Sequence, residues 1–170
     1  NVVAQAFFSN VRAIAAGNAH TTSVRSDGTV WSWGIGTQGQ LGDGTSGTAL
    51  NPPRALTPLQ VPGIDGVDTV EDGDDFGFVL ALKSNGTVWG WGNNFNAQLG
   101  DGTGVSPRTR PVQTIGLTNV KGIAAGDVYG AAVKTDGTVW IWGAPVLTGG
   151  FDLITTPIQL SGIANVTAIA

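Results

Sequence analysis

The sequence predicts an all-β architecture assembled from copies of one small antiparallel sheet, and three observations carry that expectation. An octapeptide recurs three times, as DGTVWSWG (Asp27 to Gly34), NGTVWGWG (Asn85 to Gly92) and DGTVWIWG (Asp136 to Gly143). Short alternating runs such as Val24 to Trp33 are frequent, whereas no window of helical length keeps a helical apolar period. Gly and Pro, 27 and 8 of the 170 residues, break the chain before any long element can form.

Each unit opens on an apolar run that ends in Gly: VRAIAAG (Val11 to Gly17), VDTVEDG (Val67 to Gly73) and VKGIAAG (Val120 to Gly126), with VTAIA (Val166 to Ala170) opening a fourth. These runs predict first strands. A second strand then leads into Asp-Gly or Asn-Gly, the pair that supplies the positive φ angles of a two-residue hairpin. The third strand is the Trp-bearing half of the octapeptide, and the copies hold all six Trp residues of the chain. Alternation puts Trp31 with Trp33, Trp89 with Trp91 and Trp140 with Trp142 on one face, so each pair needs a neighbouring sheet to pack against. Six residues after the octapeptide comes QLGDGT, at Gln40 to Thr45 and Gln98 to Thr103, while the third unit has Ala144-Pro145-Val146-Leu147 instead. The opening valines stand 56, 53 and 46 residues apart, which suits propeller blades rather than short solenoid coils. Sheets stacked about an axis would lay each aromatic face on the next blade, with Gly34, Gly92 and Gly143 letting the backbone turn closely.

Composition narrows the chemistry. Eight Lys and Arg against twelve Asp and Glu give a net charge of −4, which argues against a charged surface for nucleic acid or anionic membrane. Without Cys there is no disulfide framework, Cys-based zinc site or thiol nucleophile, and His20 is the sole imidazole. No apolar run is long enough for a spanning helix, and Asn1 to Ser9 lacks the pattern of a signal peptide. A chain that starts at Asn1 and has no Met is expected to be a processed product, a domain or a fragment.

In its motifs the sequence resembles the regulator of chromosome condensation repeat family, whose blades carry an AAGxxH start, a DGxVxxWG hairpin and a GxNxxGQLG loop. The first unit matches at Gly17-Asn18-Ala19-His20, Gly34, Gly39, Gln40, Leu41 and Gly42, with Gly36 where the family usually has Asn. The second has Asn94 and Gln98-Leu99-Gly100, with Ala97 for Gly, and in the place of His20 the second and third units carry Phe76 and Tyr129. The resemblance implies four-stranded blades in a seven-bladed ring, which three units are too few to close. The expected fold is therefore all-β, with β-propeller blades in an incomplete propeller. Residues 1–170 form one repeat domain, with repeats at about 1–57, 58–110 and 111–157 and the start of a fourth at 158–170.

The acidic group Glu71, Asp72, Asp74 and Asp75 lacks the order of a calcium loop, so neither a metal nor any other cofactor is expected. Asp43 and Asp101, each before Gly-Thr, read as turn residues bonding their own backbone. His20, Ser23 and Asp27 supply the residue types of a hydrolytic triad, but the repeat assigns Asp27 to a turn and Ser23 to strand alternation, so no catalytic residue is expected. The Gly-rich stretch Gly34 to Gly44 lacks the ending of a phosphate-binding loop. The sequons at Asn85 and Asn165 are of a frequency expected by chance.

The turns after Gly17, Gly73 and Gly126 occupy one equivalent position with divergent residues, which is what a protein-binding face requires. His20, Asp74, Asp75, Phe76, Asp127 and Tyr129 are the expected contact residues, although Phe76 and Tyr129 equally suit packing beneath their loops. The expected function is a non-enzymatic protein-binding module, exported to the cell surface or medium, with no nucleic-acid partner and no membrane insertion. The resemblance implies chromatin or GTPase binding, or inhibition of β-lactamase by a secreted bacterial protein. Net negative charge disfavours chromatin, while low Lys, abundant Gly and Thr and absent Cys suit an exported bacterial protein. The alternative is a structural subunit of an extracellular assembly, completed by identical chains at an edge formed by Val166, Ala168 and Ile169.

Overall fold

A computed structural model describes residues 9–48, 50–73, 77–145 and 153–170. Among them twelve strands form three sheets in chain order. The first holds β1 (Val11–Ala16), β2 (His20–Arg25), β3 (Val30–Ile35) and β4 (Arg54–Gln60). The second holds β5 (Val67–Asp72), β6 (Phe78–Lys83), β7 (Val88–Gly92) and β8 (Arg108–Gln113). The third holds β9 (Val120–Ala125), β10 (Tyr129–Lys134), β11 (Val139–Gly143) and β12 (Ile154–Gln159). Every sheet is an antiparallel meander of four strands, so each repeat is one propeller blade and the whole is an incomplete propeller. The repeat boundaries read from the sequence near residues 57, 110 and 157 fall inside β4, β8 and β12, so sequence unit and sheet are offset by a few residues.

The tryptophans build the blade junctions. Trp91 is wholly buried against Val24, Val30, Val67 and Val79, and its indole N–H donates to the Gln40 carbonyl of the preceding blade at 3.0 Å. Trp142 repeats this one blade on, donating to the Gln98 carbonyl at 2.8 Å within a core of Phe78, Leu80, Leu99 and Ile123. The QLGDGT motif is thus a seat for the next blade's indole, a role invisible while the motif is viewed within one repeat. The first Trp of each pair is half-buried instead: Trp31, Trp89 and Trp140 lie beneath Arg25, Lys83 and Lys134, with the cation 5.1 to 5.9 Å from the ring centre. Their N–H groups donate to Thr29, Thr87 and Thr138, whose hydroxyls donate to Asp27, Asn85 and Asp136 at the hairpin tips.

Those tips also clasp the next blade. The N–H of Val67 donates to the Gly28 carbonyl, that of Val120 to Gly86 and that of Val166 to Gly137, at 3.1 to 3.2 Å. At Gly86 the backbone φ is +77°, and a Cβ would lie 3.1 Å from Asn119 Cα, so both conformation and contact call for Gly. Through the third clasp residues 163–170 reach the place of a first strand in a further blade, yet they carry no strand pairing; Val166 and Ile169 are half-buried and Ala168 is exposed.

Candidate functional site

One end of the blades collects the loops. The turns that precede β2, β6 and β10 are hydrogen-bonded to the end of β3 and to the segments that follow β7 and β11: Ile35 N–H donates to the Ala19 carbonyl, Asn93 to Gly77 and Ala144 to Val128, at 2.8 to 3.1 Å. The hairpin tips occupy the opposite end. Of the expected contact residues, Asp74, Asp75 and Phe76 lie outside the described residues.

The structure corrects one equivalence. Phe78, not Phe76, takes the place of His20: Phe78 pairs with Gly92 as His20 pairs with Gly34 and Tyr129 with Gly143. The N–H groups of Gly17, Gly73 and Gly126 donate to the carbonyls of His20, Phe78 and Tyr129, and each ring lies on its glycine. The second turn is two residues longer than the other two, which displaces the match by two in a direct alignment.

His20 lies at the junction of the first two blades rather than on the surface. Its side chain is 1% exposed, as is that of Asp72, and Nε2 stands 3.3 Å from Asp72 Oδ2. Among the described residues, neither ring nitrogen and neither carboxylate oxygen has a hydrogen-bond partner. At the next junction the same two places hold Phe78 and Ala125, an apolar pair within the core. Burial, and then the adjacent Asp72 charge, push the Glu71 carboxyl above its usual range. Ser23 bonds the Trp31 carbonyl and Asp27 bonds Thr29, so His20, Ser23 and Asp27 form no triad. Asp127 is exposed beside Tyr129, which is 36% exposed.

Beside His20 a polar cavity of about 240 Å3 opens, lined by Asn18, Ala19, His20, Ile35, Thr37, Gln38, Gln40 and Gly77. Its origin is a pair of substitutions between repeats. In the second blade Asn93 and Asn94 fill this place: Asn93 accepts from Phe95 N–H at 2.8 Å and faces Gln98 Nε2 at 3.5 Å, while Asn94 ties Leu99, Asp101 and Thr103 together. The first blade has Ile35 and Gly36 there, so the acceptor that Gln98 meets has no counterpart for Gln40.

The same network exposes a residue that the sequence reading passed over. Phe95 is 77% exposed at the tip of a loop pinned on both sides, by Asn93 to its own N–H and by Gln98 Oε1 accepting from Asn96 N–H at 2.8 Å. Rigid, solvent-facing aromatics of this kind serve as binding anchors. The signal was present as Asn-Asn-Phe-Asn, a run of turn-forming side chains about one aromatic.

Comparison with known proteins places these features in a family. The model described as Regulator of chromosome condensation (RCC1) repeat matches residues 11–40 in one form and 27–80 and 85–133 in another. The chain is 33% identical over 158 residues to the mouse RCC1-like G exchanging factor-like protein, covering 91% of this chain and 33% of that one. It is 34% identical over 133 residues to the human E3 ubiquitin-protein ligase HERC2, covering 77% of this chain and 3% of that protein. Among solved structures, human WBSCR16 superposes with a TM-score of 0.74 at 26% identity, covering 92% of this chain and 39% of that one. Prp20p of Saccharomyces cerevisiae superposes with a TM-score of 0.76 at 19% identity and the same two coverages, a likeness of fold. The chain spans no more than about two fifths of any of these proteins. With blades, indole seats and repeat motifs all in register, it belongs to the regulator of chromosome condensation (RCC1) repeat family.

Proposed function

We propose that the chain is a non-enzymatic, exported protein-binding module that grips a protein partner through the loop end of its blades. The observation that carries this reading is the pinned loop bearing Phe95, which offers apolar contact area without an ordering cost at the end where the turns diverge between blades. Propellers of this fold that bind proteins agree with it: Prp20p has binding properties toward Gsp1p and histones, and yeast RCC1 was solved bound to Kap60. Tyr129 and Asp127 would contribute from the third blade, and His20 from beneath the surface, as a support for the turn above it. Export rests on composition alone, three Lys and no Cys in 170 residues, and the partner is then a protein of the cell surface or medium.

A photo-cross-linking amino acid at position 95 or 129, compared with positions 84 and 135 at the hairpin end, tests the reading in the protein fraction exported by the producing organism. One adduct of defined mass from the loop end alone is expected. Equal labelling from both ends, or adducts only from the hairpin end, would overturn it. A second reading, a structural subunit completed by neighbouring copies, is favoured by the Val166–Gly137 clasp that seats residues 163–170 as an unpaired first strand. Sedimentation decides it: mass that rises with concentration and falls on substituting Val166 and Ile169 by Asp supports assembly.

A further inference from the structure

The hairpin tips differ in one functional group. Asp27-Gly28-Thr29 and Asp136-Gly137-Thr138 carry a carboxylate where Asn85-Gly86-Thr87 carries an amide, and Asn85 is the one asparagine of the chain that precedes glycine. Such a pair is prone to deamidation, because the following backbone nitrogen must reach the side-chain carbonyl carbon and glycine has no Cβ to obstruct it. Asn85 is exposed, so water reaches it. In the reaction the Gly86 nitrogen gives up its proton and bonds to Asn85 Cγ, the Cγ–Nδ2 bond breaks with release of ammonia, and a cyclic imide remains. Water then opens the imide at either carbonyl. One opening leaves aspartate; the other leaves isoaspartate, whose main chain runs through the former side chain and is one methylene longer.

The folded tip restrains the first step. Gly86 N–H donates to the Lys83 carbonyl at 2.9 Å, which favours keeping the proton, and Asn85 Oδ1 accepts from Thr87 N–H at 3.1 Å and from its hydroxyl at 2.7 Å, which fixes the side chain. Reaction therefore requires local opening of the hairpin. The two products then differ in fit. Aspartate reproduces the other tips, where a carboxylate accepts from the Thr N–H and hydroxyl at 2.6 to 3.0 Å and those bonds, the hydroxyl foremost, hold Asp27 and Asp136 below the usual carboxylate range. Isoaspartate has no such counterpart. The Gly86 carbonyl accepts from Val120 N–H at 3.1 Å, and a Cβ on Gly86 would lie 3.1 Å from Asn119 Cα and 3.2 Å from the Val120 nitrogen. An added methylene before Gly86 displaces that carbonyl in a place with no room to absorb the shift.

We propose that Asn85 is a site of spontaneous deamidation by water, timed by opening of the β6–β7 tip, and that its isoaspartate product releases the clasp between the second and third blades whereas its aspartate product preserves it. The Asp-Gly tips reach the same imide only by expelling water from a carboxyl group, a slower route, so chemical ageing of the clasps begins at the one between blades two and three.

The test ages the isotope-labelled 170-residue chain in neutral buffer, once folded and once unfolded in guanidinium, and follows each asparagine by peptide mass spectrometry with fragmentation that separates aspartate from isoaspartate. Asn85 should convert ahead of every other asparagine in the folded chain, at least about tenfold more slowly than in the unfolded one. The isoaspartate fraction, isolated by ion exchange, should exchange its Val120 amide proton at least about tenfold faster than fresh protein, while the Val67 and Val166 amides at the other two clasps keep their rates. Asn85→Asp, which copies the aspartate product, should fold and leave the Val120 amide as protected as in the parent chain. A folded chain whose Asn85 stays intact while the unfolded chain converts, equal rates in the two states, or earlier conversion at another asparagine would overturn the assignment of the site. Unchanged Val120 exchange in the isoaspartate fraction, or lost protection in Asn85→Asp, would overturn the unclasping.

Discussion

At the scale of single residues, Asp101 shows how a repeated motif acquires a different weight in each copy. Burial would raise its carboxyl, but hydrogen bonds from Thr103, Arg108 and Asn94 outweigh that and hold it below the usual carboxylate range. A depressed value in the folded state stabilises above the unfolded value of about 4, and the contribution disappears as pH falls through the folded value. Melting temperature should therefore drop steeply below about pH 4. Asp101→Asn should lose about 1 to 3 kcal/mol at neutral pH, because with the amide oxygen kept toward Asn94 and Thr103 the Arg108 guanidinium then faces a donor, and it should show a shallower acid decline. Asp43, with Thr45 as its hydrogen-bonded partner, should tolerate the same change better. Among the tryptophans, Trp91→Ala should cost about 3 to 5 kcal/mol in urea unfolding. Trp89→Ala should cost less, because the Trp89 ring is half in water beneath Lys83. A Trp89 variant as damaged as the Trp91 variant would contradict the assignment of the indole seat.

Among the elements, the hairpin between β6 and β7 is the clearest case of local and tertiary demands meeting. Gly86 and Gly116 have nearly the same φ, +77° and +76°, but only Gly86 has backbone atoms where a Cβ would go. Each change to Ala incurs the left-handed strain, about 1 to 2 kcal/mol. Gly86→Ala should lose a further measurable increment through the Val120 clasp, and equal losses at the two sites would show that the clasp carries no stability. Hairpins, strands and Trp faces were legible in the sequence because Asp-Gly turns and period-two alternation act within a few residues. The loop equivalence was not, since two extra residues in the second turn are silent until Phe78 is seen opposite Gly92. Nor was the His20–Asp72 pair, whose members lie in different blades and share no motif. Phe95 was passed over because its exposure depends on the Asn93 and Asn94 network that turns it outward.

The whole molecule behaves as a row of blades, each held by its neighbours, so stability should be a sum of blade and junction contributions. Trp91→Ala weakens the first junction alone. Hydrogen exchange should then accelerate in β1 to β4, while the β9 to β12 amides, held by the Trp142 junction, keep their protection. Uniform acceleration across all three sheets would mean that the blades unfold as one unit. The outer strands add a constraint on association: Pro58, Pro111 and Pro157 interrupt β4, β8 and β12 with a missing donor, which discourages edge-to-edge pairing with other sheets.

The mismatch between the two junctions also acts as an address. The Gly28, Gly86 and Gly137 clasps are interchangeable, and by themselves they would accept the units in any order. His20 with Asp72 and Phe78 with Ala125 are not interchangeable. If the third blade docked directly on the first, the His20 ring would meet the Ala125 methyl; if two copies of the second blade met, Phe78 would cover an uncompensated Asp72 carboxylate. Either error parts His20 from Asp72 and sets a buried polar side chain against an apolar one, so swapped and misregistered arrangements during folding or between chains lose this one contact. A single polar pair thus proofreads the order of otherwise near-identical repeats.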